Sequence, residues 1–186
     1  KANKRILEIP EVAEVYFMPS SGDESTAIGA AYYAYKKISE MHGKQYSPIV
    51  FTNLYLGPSY SDKQIQFDLD RLEASKNYDI KKSDNINMDI AKLLAENKVV
   101  ARFSGAMEWG ARALGNRSIL ANPKSYEIVR VINEKIKNRD FWMPFATTII
   151  EERFNDYLIN IKNHFSPFMM MTYDSKDLAL EHLKAA

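Results

Sequence analysis

Residues 105–123 read GAMEWGARALGNRSILANP. The stretch sets Glu108, Arg112, Arg117 and Ser118 among Gly105, Gly110, Gly115 and Asn116. Glycine lets a backbone come close to a ligand and take positive φ. Free N–H groups and guanidinium forks can then hold phosphate or carboxylate oxygens, arginine two at a time. The chemistry on offer is anion binding. The plainer reading is a glycine turn bearing two surface arginines. No Gly-Lys-Ser/Thr follows, so this is not a Walker loop. Convergent charge on turn-prone chain favours the anion site.

The elements that must position this stretch can be read on either side. Lys98–Phe103 is a short apolar run of β-formers and reads as a buried strand. Met88–Asn97 reads as a helix capped by Asn85 or Asn87, and Ser125–Lys137 as an amphipathic helix. Upstream, Ser61 to Gln64 is a capping-box pattern that starts a helix running to about Ala74. Val12–Met18 and Val50–Leu56 read as strands, and Tyr78–Lys82 as a short one. Ala27–Met41 reads as a helix closed by Gly43. Its small residues Ala27, Gly29, Ala30 and Ala31 allow close packing. Ala146–Ile150 reads as a strand and Glu151–Leu158 as a short helix.

Three further features carry alternatives. Pro19–Thr26 is a polar turn leading into a helix. A strand, a Gly-Asp turn and a helix N-terminus form an arrangement for phosphate or metal. The residues alone favour the simpler case, Asp23 as a helix cap. Lys137 and Arg139 stand beside Phe141 and Trp142, which could clamp a nucleotide. The alternative is a basic helix C-terminus followed by aromatics entering the core. The methionine run at Met169–Met171 reads as core rather than a metal site. His42, His164 and His182 read as surface or helix-end residues.

Composition narrows the classes. The 186 residues are 46% hydrophobic, enough for a core, and suit one domain or a domain plus part of another. Net charge is +1, with 25 basic and 24 acidic residues, which gives no electrostatic reason to expect nucleic acid or a membrane as partner. There is no cysteine, hence no disulfide, thiolate metal site or cysteine nucleophile. This composition fits a cytoplasmic protein. No apolar run approaches membrane-spanning length, and no signal-peptide pattern stands at the start. The chain opens on Lys1 rather than Met and reads as a piece or processed product.

The glycine-arginine stretch closely resembles the signature of the NodU/CmcH-type carbamoyltransferases, whose usual form is near GxMEFGPRALGNRSILADP. Trp109, Ala111 and Asn122 replace the family's Phe, Pro and Asp. Three more elements are similar. PSSGDESTAIGAA (residues 19–31) matches a PxxGDxGTAxGAA segment, with Ser25 for Gly. Tyr55–Tyr60 matches YLGPxY. Lys137, Arg139, Pro144, Phe145 and Ala146 match a KxRxxxRPFAP element, with Met143 for an arginine and Thr147 for a proline.

The resemblance implies an α/β chain. Residues 1–43 would be the end of an ASKHA-type domain, and residues 44–186 most of a YrdC-like twisted open sheet with packed helices. It implies an ATP-dependent O-carbamoyltransferase, which makes carbamoyl-adenylate from carbamoyl phosphate and ATP. A hydroxylated small-molecule acceptor then takes the carbamoyl group. Arg112, Arg117 and Ser118 would be catalytic. Glu108, Gly115, Asn116, Lys137 and Arg139 would bind nucleotide and substrate. Mg²⁺ would accompany ATP, and Asp23 would be a ligand of an iron-type divalent metal whose histidine partners the chain lacks. Oligomeric state stays open and admits a homodimer. The rival reading is a nucleotide- or tRNA-binding YrdC-like module without carbamoyl transfer.

Overall fold

The computed structural model describes residues 1–186. Helix α1 covers Ala2–Glu8 and α2 covers Glu24–Met41. α2 ends where Gly43 takes φ 61°, the left-handed stop that glycine supplies. Asp23 occupies the N-cap of α2 but its side chain makes no cap bond, so the capping role expected of it is not realised. The turn is held instead by Ser25 and Thr26, whose hydroxyls donate to the carbonyls of Gly22 (2.9 Å) and Asp23 (2.6 Å).

Local chemistry sets the next two helices. Ser61 Oγ accepts from Gln64 N, and Gln64 Oε1 accepts from Ser61 N, so the capping box forms and starts α3, Asp62–Arg71. Asn85 Oδ1 accepts from Met88 N at 3.2 Å and starts α4, Ile86–Ala95. β1, Val100–Phe103, then pairs antiparallel with β2, Arg117–Leu120. α5, Glu127–Ile132, runs into a π-helical turn at Asn133–Lys137. α6 is Phe154–Tyr157; β3, Leu158–Ile159, pairs antiparallel with β4, Asp174–Ser175; α7 is Asp177–His182.

The architecture is mixed helix and sheet, with two two-stranded antiparallel ladders. The expected strands at residues 12–18, 50–56, 78–82 and 146–150 run without ladder partners. Their β-forming side chains favour extended chain, but a strand also needs a partner edge. Ile49 (77% exposed) and Val50 (73% exposed) lie open accordingly. The surface of 14237 Å² exceeds the roughly 9,100 Å² of a compact globule of this mass, so the apolar groups are incompletely covered. Leu7, Leu54, Ile132, Ala179 and Ala185 make the small core. No helix is long and apolar enough to cross a membrane.

Chain ends meet across the fold. Lys4 pairs with Asp174 at 2.9 Å, and Asn3 Nδ2 donates to Met170 O at 2.7 Å. Lys162 Nζ donates to the carbonyls of Ile9 and Val12.

The segment 54–58 docks on the residues that follow β1. Trp109 N donates to Leu54 O (2.7 Å), Gly57 N to Met107 O (2.9 Å) and Met107 N to Pro58 O (3.0 Å). A Cβ on Gly57 would lie 2.9 Å from Met107 Cβ and 3.0 Å from Met107 O, so only glycine fits. Gly57→Ala should therefore destabilise the protein by about 1–3 kcal/mol, read as a lower urea midpoint.

Candidate functional site

Pairing of β1 with β2 places Phe103 opposite Arg117 and Arg102 opposite Ser118. Ser104 N donates to Asn116 O at 3.0 Å and closes residues 104–116 into a loop. The Arg117 guanidinium lies 3.6 Å from the centroid of the Phe103 ring. Its Nη1 donates to Ser104 O (2.7 Å) and Asn116 O (3.3 Å). Its Nη2 donates to Gly105 O (3.1 Å) and Pro58 O (3.4 Å). Arg117 therefore turns its fork onto carbonyls at the base of the loop.

Glu108 fills the loop from within and is 7% exposed. Its Oε1 accepts from the N–H groups of Leu114 (2.9 Å), Asn116 (2.6 Å) and Arg117 (3.1 Å), and its Oε2 accepts from Arg117 N at 3.1 Å. Burial pushes the carboxyl up. The N–H groups of Glu108 itself, Asn116, Arg117 and Leu114 together outweigh that and hold it below its ordinary value. An ionised carboxylate here is the loop's own anion.

The remaining donors are partly committed. Gly115 N, at φ 111°, donates to Ser118 Oγ at 2.8 Å, which leaves the Ser118 hydroxyl proton free to donate outward. Asn116 Nδ2 donates to Ala106 O at 2.8 Å. Tyr55 Oη donates to Leu114 O at 3.0 Å. Arg112 is exposed, and its guanidinium enters none of the protein's ion pairs. Of the two arginines in the stretch, Arg112 is the one whose fork is available to a ligand.

Lys137 is exposed at the end of the π-helical turn. Arg139 Nε donates to Met143 Sδ at 2.9 Å and Nη2 to Pro144 O at 3.4 Å, with the guanidinium 5.1 Å from the Phe145 ring centroid. Met143, standing where an arginine was expected, thus gives Arg139 a soft acceptor. Phe141 (69% exposed) and Trp142 (64% exposed) do not enter the core as the plainer reading expected. With Tyr126, Arg130 and Lys184 they line a cleft of about 570 Å³. The α5 turn keeps its core contact through Asn133, fully buried, whose Nδ2 donates to Met143 O at 3.0 Å.

Asp23 is exposed at the start of α2, and no group of three or more His, Asp or Glu side chains forms a metal cage. Asp23 with its neighbours does not make up a ligand set for that metal. Sequence reasoning missed Gly57, Phe103 and Tyr55, which hold the loop in place. For Phe103 the signal was an aromatic ending a strand whose hairpin partner begins with arginine.

The sequence profile of the carbamoyltransferase C-terminus family matches residues 91–186, which include the whole loop and both strands that close it. The chain belongs to this family. It is similar to nodulation protein U of Rhizobium fredii, 32% identical over 95% of this chain and 27% of the relative. Nodulation protein NolO of Bradyrhizobium diazoefficiens is 31% identical over 83% of this chain and 27% of the relative. An uncharacterized protein of Methanocaldococcus jannaschii is 33% identical over 95% of this chain and 33% of the relative. The chain thus spans about a quarter to a third of the curated relatives it matches.

Removing the internal anion tests the loop's construction. Glu108→Ala leaves three N–H groups unpaired and should cost about 3 kcal/mol or more, partly restored by millimolar formate, which wild type ignores. A carboxyl held below its ordinary value stabilises the fold above the usual carboxylate range and loses that contribution as pH falls through its folded value. Stability of wild type should therefore drop more steeply than that of Glu108→Gln between about pH 5 and 3, read by urea titration across pH.

Proposed function

We propose that this chain is the adenylate-forming part of an ATP-dependent O-carbamoyltransferase. Its membership of the carbamoyltransferase family, matched across residues 91–186, carries the reading. The exposed Arg112 guanidinium on an internally braced loop supports it. Two polyanions, ATP and carbamoyl phosphate, have to share one site, and cationic groups there offset their repulsion and stabilise charge in the transition state. Arg112 is the proposed phosphate clamp. Lys137 and the proton of Ser118 are proposed to bond phosphate or carbamoyl oxygens. Arg139, Asn116 and Gly115 shape the walls.

Water cleaves carbamoyl phosphate to carbamate and phosphate. A carbamate oxygen attacks the α-phosphorus of ATP, pyrophosphate leaves, and carbamoyl-adenylate results. The acceptor's hydroxyl oxygen then bonds to the carbamoyl carbon, the bond from that carbon to the AMP phosphate oxygen breaks, AMP departs and the hydroxyl proton passes to solvent. Mg²⁺ entering with ATP would neutralise part of the phosphate charge that Arg112 and Lys137 face. Arg117 acts through the backbone it braces, which is why its loss would disturb the whole loop. A soluble cytoplasmic setting, where ATP and carbamoyl phosphate occur, belongs to the same proposal.

Calorimetric titration of the full-length protein with ATP, with and without carbamoyl phosphate, tests the reading. Arg112→Ala should weaken ATP binding about tenfold or more with an unchanged melting midpoint, because its fork braces nothing. Unchanged affinity would remove Arg112 from the site.

A further inference from the structure

The loop that leads into α2 touches the glycine-arginine loop at one tightly fitted place. Ser20 Oγ accepts from Ala111 N at 3.1 Å, across 91 positions of sequence. The same hydroxyl donates its proton to the Glu24 carboxylate in the first turn of α2. That bond does most to hold the Glu24 carboxyl below its ordinary value. Gly110, at φ 99°, lies so close that a Cβ there would fall 2.7 Å from Ser20 Cβ and 2.9 Å from its Oγ. Ser20 itself sits at φ 52°, a left-handed conformation that residues with a Cβ avoid. Backbone in that region persists where surrounding contacts over-determine it, and such positions gather at functional sites. Pro19, next to it, is fully buried and anchors the segment.

Each half of the contact adjoins a residue with an open charge. Ala111, whose N–H is held, immediately precedes the exposed Arg112, and Ser20 lies three residues before the exposed Asp23. We propose that Ser20 is a positioning residue for the Arg112 turn: its hydroxyl, oriented by Glu24, seats the Gly110–Ala111 peptide and presents Arg112 to a nucleoside triphosphate at the seam between the two loops. The assignment rests on the nucleotide reading given above. Ser20 touches no reacting atom; it acts through the peptide it holds.

Ser20→Gly separates this role from simple structure. It removes the hydroxyl yet suits the left-handed backbone, so the melting midpoint should stay level or rise. In the full-length protein, hydrogen exchange at the Ala111 amide should quicken about tenfold or more, and ATP affinity should fall about tenfold, as in Arg112→Ala. Arg112→Ala should leave Ala111 exchange at the wild-type rate. Gly110→Ala, which forces the loops apart, should reproduce both effects of Ser20→Gly.

Unchanged Ala111 exchange in Ser20→Gly overturns the contact itself. Faster exchange with undiminished ATP affinity overturns the positioning role. Wild-type protein that binds no ATP overturns the nucleotide reading and the positioning role with it, while Ala111 exchange still decides the contact.

Discussion

A buried carboxylate surrounded by backbone N–H groups holds the centre of this molecule. Loops rich in glycine have a large conformational entropy to overcome, and their amides must find partners. Glu108 meets both needs by drawing the N–H groups of Leu114, Asn116 and Arg117 onto one side chain. Arg117 completes the arrangement from the opposite polarity, as its guanidinium gathers the carbonyls of Ser104, Gly105, Asn116 and Pro58. Donors are collected by the acid and acceptors by the base, with no direct ion pair between them. The β1–β2 ladder needs only four residues per strand because these two side chains close the loop above it.

Elements governed by local rules could be read from the sequence. The Ser61–Gln64 capping box, the Asn85 cap and the Gly43 stop are each decided by neighbours within a few residues. The strand at residues 100–103 was also legible from its run of β-formers, but its expected burial is not realised: its positions alternate half-buried and exposed, because β2 is its one neighbour and covers no face. Strands that depend on distant edges were not, and the β-rich runs near Val15, Phe51 and Ile149 remain unpaired chain. Within the site, the sequence located the loop and its charged residues. It did not distinguish Arg112 from Arg117. Which arginine braces and which remains open depends on Phe103 and Pro58, contacts that arise only when the strand pairs and the 54–58 segment docks. Asp23 shows the same limit: its residue type suits a cap, but Ser25 and Thr26 hold the turn.

Segments far apart in sequence are joined by few but specific contacts. Residues 54–58 lie along the loop through three backbone bonds, α1 reaches the chain near Asp174, and Ser20 meets Ala111. The first and last of these joins admit little variation in side-chain size, as Gly57 and Gly110 show. The small apolar core supplies modest burial, so the relative placement of these segments rests on directional polar contacts more than on packed hydrophobic volume.

The internal anion also bears on the thermodynamics of recognition. A flexible loop that orders around its ligand surrenders about 1–2 kcal/mol of backbone entropy for each residue fixed. Here Glu108 orders residues 114–117 and Ser20 holds the Ala111 peptide before any ligand arrives. A phosphate meeting Arg112 would therefore find a rigid host. Its binding should be dominated by desolvation and long-range attraction between charges, with association quick and sensitive to ionic strength.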